Sequence, residues 1–188
     1  MADNINQIDM FVGVDPGVSG AAAFIRSDGY VQILDYVPFG RYEYGALLGF
    51  QRVGYGLRAV IELQKAFKPT SLENALSMGR YYQDWIAWFK ILGIRYDEEW
   101  PATWQKAVFD AGTRPKKVKL VKPSGMTEVV GMDFKKRQDK VAREHKKKLK
   151  LASVERAKRL YPVAERLITR HDRAEALLIA HFCWLKYH

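Results

Sequence analysis

The 188-residue chain predicts an α/β fold with a mixed sheet, on three observations. Short apolar runs closed by turn residues fill its opening stretch, the pattern of buried strands. Longer segments with apolar residues three and four apart then alternate with further short runs, as β-α-β units do. The closing stretch carries helical spacing alone.

Residues 8–14 read as the first strand, ended by the turn Asp15-Pro16-Gly17. Residues 20–26 and 30–37 read as two more, joined by Ser27-Asp28-Gly29, so the first three form an antiparallel meander. A helix and then a fourth strand at 58–63 follow, with Glu62 near that strand's end. Residues 71–92 read as a helix with Ser71 as N-cap and Asn74 at the third helical position. Leu72, Ala75, Gly79, Tyr82, Ile86 and Phe89 make one apolar seam on it; Met78, Tyr81, Trp85, Trp88 and Leu92 make a second. A helix lying on a sheet needs one such face. The second is covered either by the rest of the fold or by a partner, and a homodimer is the favoured reading. A strand at 94–100 leads to a short helix opened by Pro101, with Trp104 and Val108 on one side. Residues 146–161 are helical until Pro162, and the last helix spans 171–187 with Ala174, Leu178 and Leu185 inward. The later strands are expected to be parallel, through crossovers.

Composition narrows the class. With 48% apolar and 13% aromatic residues the chain fills a core, which excludes wholesale disorder. Its length suits a single domain, residues 1–188. Cys183 is the one cysteine, so an intramolecular disulfide and a Cys-based zinc site are both excluded; it reads as a small core residue. The N-terminal residues lack the basic and apolar regions of a signal peptide, and no apolar run approaches membrane-spanning length. A soluble, cytoplasmic protein without membrane contact is expected.

The charge is concentrated. The chain carries 31 Lys and Arg against 21 Asp and Glu, a formal +10. Residues 113–170 hold 19 of the basic residues and 6 of the acidic, a net +13, which leaves the rest slightly acidic. Residues 113–145 contain Pro115, Pro123, Gly125 and Gly131 and no sustained apolar period, so they read as a long basic loop or arm. An excess of this size and density is suited to a polyanion, nucleic acid first and an anionic membrane surface second.

Four acids stand where a packed fold ordinarily avoids them. Asp15 ends the first strand, Glu62 lies in the fourth among Val60, Ile61 and Leu63, and Asp172 and Glu175 open the last helix three residues apart, on one face. Asp15 is equally a turn-former, and Asp172 and Glu175 equally complement a helix dipole. Glu62 requires a partner. Brought together, the four would repel and raise at least one pKa. Divalent cations relieve that penalty, and an oxygen-only donor set favours Mg²⁺ or Mn²⁺. Two such ions about 3.5–4 Å apart activate water and stabilise the leaving oxygen of a phosphodiester. His171, beside Asp172, reads as a bystander at a helix start rather than as a ligand.

These residues resemble a known family. Val12-Gly13-Val14-Asp15-Pro16-Gly17-Val18-Ser19-Gly20-Ala21, then Val60-Ile61-Glu62, then Asp172-Arg173-Ala174-Glu175-Ala176 are similar, in order, to the RuvC-type Holliday junction resolvases of the RNase H-like superfamily, phage and bacterial type. Residues 71–80, ending in Gly79-Arg80, resemble that family's helix with a Gly-Arg-like step. Pro101-Ala102-Thr103-Trp104-Gln105-Lys106 resembles its "P-x-x-W-K/Q" segment, and residues 153–162 resemble the stretch before its last active-site helix. The resemblance covers most of the chain apart from 113–145.

The resemblance implies an RNase H-like fold, a five-stranded mixed sheet flanked by helices on both faces, in a homodimer of a bacterial or phage-infected cell. It implies Mg²⁺-dependent cleavage of four-way DNA junctions by paired symmetric nicks that leave 5′-phosphates, with Mn²⁺ able to substitute. Asp15 would bridge two ions, with Glu62, Asp172 and Glu175 as the other ligands, and Lys150 would meet the scissile phosphate, with Lys147 and Lys148 as competitors. Lys116, Lys117, Lys119, Lys146, Lys147, Lys148, Lys150 and Arg80 are the expected DNA contacts. Three features depart from the family. Lys65 occupies the place of an aromatic that wedges into the junction, with Phe67 nearby; the last carboxylate is Glu175 rather than Asp; and the basic arm is long. A broader nuclease acting on branched DNA or RNA–DNA hybrids would use the same acids. A non-cleaving branched-DNA binder would have no use for all four.

Overall fold

Strand β1 (Met10–Asp15) is the middle of the sheet, and all six of its residues are buried. The structure, a computed structural model, describes residues 9–17, 19–36, 41–63, 72–110, 112–116, 118 and 128–188. β1 pairs antiparallel with β2 (Ala21–Arg26), which pairs antiparallel with β3 (Val31–Asp35). On its other side β1 pairs parallel with β4 (Leu57–Glu62), and β4 with β5 (Arg95–Glu99), giving the order β3-β2-β1-β4-β5. This is the expected five-stranded mixed sheet, its first three strands antiparallel and the rest parallel. Helix α1 (Arg41–Arg52) connects β3 to β4, and α2 (Leu72–Ile91) connects β4 to β5.

Strand alternation divides the core into two. Met10, Val12, Val14, Ala59 and Ile61 point to the face covered by α1 and α2. Phe11 and Val60 point to the other, under α3 (Pro101–Val108), the end of α4 (Glu128–Leu160), a 3-10 turn (Pro162–Leu167) and α5 (His171–Tyr187). Helices thus flank both faces. By the same period of two, Asp15 follows Phe11 and Gly13, and Glu62 follows Val60, so both acids point to the α5 face.

Gly13 is what lets α5 lie so near. A Cβ there would stand 2.0 Å from the backbone nitrogen of Ala180 and 2.3 Å from the carbonyl oxygen of Ala176. Gly20 has a parallel role in the turn after β1, where a Cβ would sit 2.2 Å from the Asp15 carbonyl oxygen.

Both seams of α2 converge on one core. Trp85, Ile86 and Phe89 are buried, and Trp88 packs against Trp85, Tyr36 and Tyr44. The second seam is therefore covered in large part by the fold itself; exposed Gly79, Leu76 and Ile91 lie on the helix's outer side. Ser71 lies outside the described residues. So do Lys65 and Phe67.

Two sequence expectations need correction. Residues 113–145 are not a loop throughout, because α4 begins at Glu128 and runs 33 residues. Residues 133–152 show no apolar period because they pack on no core: no described residue among them is buried. Lys, Arg, Gln, Glu and Ala propagate a helix without needing a buried face. Acids placed four residues ahead of cations (Asp133 and Arg137, Asp139 and Arg143, Glu144 and Lys148) add to that. Leu185 is not inward but half-exposed, since α5 passes the edge of the sheet in its last turn. Ala174 and Leu178 are buried as expected, and so is Cys183. Among the described residues, no helix is long and apolar enough to cross a membrane.

Candidate active site

β1 and β4 run parallel in a register that pairs Val14 with Ile61, so Asp15 and Glu62 end neighbouring strands at one edge of the sheet. α5 lies across β1 with its first turn at that edge, and Asp172 and Glu175 emerge there together. The helix N-terminus is a favourable place for carboxylates. That turn is fixed from the side. Arg173 grips Asp35, at the end of β3, with two bonds of 2.6 Å, and Arg170 reaches the same carboxylate at 2.9 Å. The Arg173 bonds hold Asp35 below the usual carboxylate range.

The four acids sense one another. Burial, then the charges of Glu62, Glu175 and Asp172, push the Asp15 carboxyl well above its ordinary value, and Lys150 pulls it down. Burial is also the main cause that raises Glu62 to about 7 and Glu175 to about 6. Lys150 and Lys146 act on Glu175 in the opposite sense, and Asp172 adds to the rise. The His171 imidazole is pushed down, first by burial, against the pull of Asp172.

Three of the acids have one oxygen occupied by the protein. Trp104 Nε1 donates to Glu62 Oε2 at 2.7 Å. Ser153 Oγ donates to Glu175 Oε1 at 3.3 Å. His171 Nε2 lies 2.8 Å from Asp172 Oδ1. Trp104 and Ser153 are buried. Among the described residues, no three His, Cys, Asp or Glu side chains converge tightly enough to grip an ion as they stand. The electrostatic coupling and this looseness are compatible: like charges spread apart, and Glu62, Glu175 and Asp172 each lean on a partner of their own. A buried set of carboxylate oxygens, opposed by Lys150 and Lys146, is chemically the donor set a hard divalent cation fits.

Asp15, Glu62, Asp172 and Glu175, all expected from the sequence, thus share one neighbourhood, with Lys150 beside them on α4. His171 touches Asp172. Lys146 is within electrostatic reach, whereas Lys147 and Lys148 are exposed on α4. Lys116 is exposed after α3, and Arg80 is exposed on α2, which covers the other face of the sheet. Lys117 and Lys119 lie outside the described residues. Sequence reasoning does not find Trp104, Ser153, Arg173 or Asp35 as site residues. Trp104 does carry a signal: a buried indole N–H demands an acceptor, and Glu62 is the buried acid in need of a donor.

No family model matches the chain, and no curated protein matches it by sequence. Among solved structures, the RuvC of Thermus thermophilus in complex with Holliday junction substrate superposes with a TM-score of 0.50 at 12% identity, covering 94% of this chain and 95% of that one. The chain has a RuvC-like fold. A second Thermus thermophilus RuvC structure gives 0.48 at 12% identity over the same shares.

Proposed function

We propose that the protein is a divalent-metal-dependent endonuclease that resolves four-way DNA junctions, as a homodimer, by paired symmetric nicks leaving 5′-phosphates. The observation that carries this reading is the gathering of four half-buried to buried carboxylates at one sheet edge, in a chain of +10 net charge. A structural role does not call for burying repelling acids together. Asp15, Glu62, Asp172 and Glu175 would hold Mg²⁺, or Mn²⁺ in its place. Bound there, the metal supplies charge stabilisation at a phosphodiester and a more acidic water. Lys150 holds the phosphate beside the acids, and the cations of α4 bind the backbone. Lys116, Lys117, Lys119 and Arg80 are proposed contacts on the remaining arms. The RuvC-like fold and the junction bound by the structural neighbour support this reading of substrate.

Incubation with a labelled four-way junction in Mg²⁺, beside linear duplex, three-way branch and RNA–DNA hybrid, tests it. Symmetric nicks in the junction, lost in EDTA and in Asp15→Asn, are expected. Preferential cutting of the hybrid would move the protein to a broader nuclease class. Tight junction binding without cleavage in Mg²⁺ or Mn²⁺ would overturn the enzyme reading.

A further inference from the structure

We propose that one face of α4 is a rail for duplex DNA, holding the backbone of a single arm over about six base pairs leading to the carboxylates. This rests on the reading of the substrate given above and adds where that substrate lies. Lys136, Lys140, Arg143, Lys147 and Lys150 follow one another at intervals of four, three, four and three residues. In a helix of about 3.6 residues per turn, that spacing is a single longitudinal stripe. Lys150, its inner end, lies within electrostatic reach of Asp15 and Glu175. Its outer end is 14 residues away, or about 21 Å at about 1.5 Å per residue. Phosphates of one strand recur about every 3.4 Å along a duplex, so that reach corresponds to about six base pairs.

Continuity singles out this face from a generally basic helix. Five cations recur on it over four turns, flanked by Asp133, Asp139 and Glu144. The other cations of this stretch fall in pairs, Lys135 and Lys146 to one side of the stripe and Arg137 and Lys148 to the other. Lys136, Lys140, Arg143 and Lys147 are exposed, and no buried residue interrupts this part of the helix. The occupant that fits a straight row of five exposed to half-buried cations ending at the proposed phosphodiester-cleaving site is the backbone of a duplex arm.

Binding in EDTA separates this proposal from the nuclease reading, because no cleavage is needed. Salt titrations of junction affinity would compare the parent chain, Lys136→Gln/Arg143→Gln on the stripe and Arg137→Gln/Arg159→Gln away from it, with circular dichroism confirming equal helix content. The stripe pair should reduce the slope of log K against log salt by about 1.8, or about 0.9 for each phosphate no longer neutralised. The off-stripe pair should leave it as in the parent. On junctions whose arms are cut to about three base pairs, the stripe pair's penalty should fall to about half, since such an arm reaches Arg143, about 10 Å from Lys150, but not Lys136. Equal losses from both pairs would show diffuse attraction and overturn the rail. So would an unchanged slope in the stripe pair, or a penalty that persists undiminished on short arms. A rail confirmed in a protein that cuts no junction would leave this inference standing and the nuclease reading fallen.

Discussion

Helices α4 and α5 meet at the carboxylates but are built on opposite principles. In α5, nine of seventeen residues are buried, and the helix lies on β1 closely enough that Gly13 is required beneath it. In α4, no described residue from 133 to 152 is buried, and that stretch is held by local helix propensity and charge spacing. The first arrangement fixes atoms to fractions of an ångström, which suits groups that must share an ion. The second offers charge along a line, which suits a polyanion whose position is set by many weak contacts.

The difference is broken most violently at Gly13. An alanine there would drive its Cβ into the backbone of Ala176 and Ala180, and backbone cannot rotate away as a side chain can. Gly13→Ala should destabilise by over about 4 kcal/mol, at the diagnostic end of single substitutions. Where any folded protein survives, α5 is displaced and Asp172 and Glu175 leave Asp15. Urea unfolding checks it, and wild-type stability would contradict the close seating of α5.

Titration of the carboxylates comes next. Glu62 and Glu175 are raised to about 7 and about 6, so both bind more protons in the folded state than in the unfolded one, whereas the lowered imidazoles of His171 and His181 act in the opposite sense below about pH 6.5. Stability should then fall as pH rises from about 6.5 through 7. The decline is about 1.4 kcal/mol per pH unit for each carboxyl that is protonated in the folded state and ionised in the unfolded one. The sign is opposite to that of a salt-bridged acid such as Asp35, whose contribution is lost as pH falls. Millimolar Mg²⁺ should flatten the decline, because a bound cation restores the benefit of ionised acids. Thermal melts from about pH 5 to 8 with EDTA or Mg²⁺ measure both, and a rise in metal-free stability above about pH 6.5 would refute the coupling.

The two helices also differ in how much of them the sequence reveals. α5 is legible to its ends, residues 171–187, because a helix on a sheet writes its buried face into its period and its acids into its first turn. The meander and the parallel strands are legible for the same reason: Val12, Val14, Val60 and Ile61 are buried, and burial leaves a pattern. The described residues 133–152 of α4 bury no side chain and so write none, and Gly131 and the preceding prolines point to a loop. The acids Asp15, Glu62, Asp172 and Glu175 are legible as exceptions within buried patterns. Their donors are not, since no spacing rule connects Trp104 to Glu62 or Ser153 to Glu175 across 42 and 22 residues. Pairing through space belongs to the fold.

Trp104 sharpens the contrast within the buried half. Trp104→Phe keeps an aromatic in the core but removes the donor to Glu62 Oε2. Leaving a buried acceptor unpaired costs about 1–3 kcal/mol. Partners behind a metal ligand typically contribute about 10–100-fold to affinity, and a loss of about that size is expected for Mn²⁺, read by isothermal titration. Junction binding in EDTA should be unaffected. A variant that binds Mn²⁺ as the parent does would show that Glu62 needs no orientation from α3.

The smallest effect belongs to the outer half of α4. Ala142→Gly lies at an exposed position, and glycine costs a helix about 1 kcal/mol against alanine. That half frays without opening the core, so the cost is spent on a local equilibrium and urea unfolding should shift by less than about 0.5 kcal/mol. Amide hydrogen exchange would see what unfolding does not. Protection at residues 133–148 should fall in the variant, while that at Ala157, anchored in the core, should not change. Adding junction DNA should restore protection to the outer half, because a polyanion along its cations stabilises the helix it binds. If the glycine instead lowered global stability as a core substitution does, the outer half of α4 would be part of the cooperative unit, and the division between a fixed helix and a frayed one would not stand.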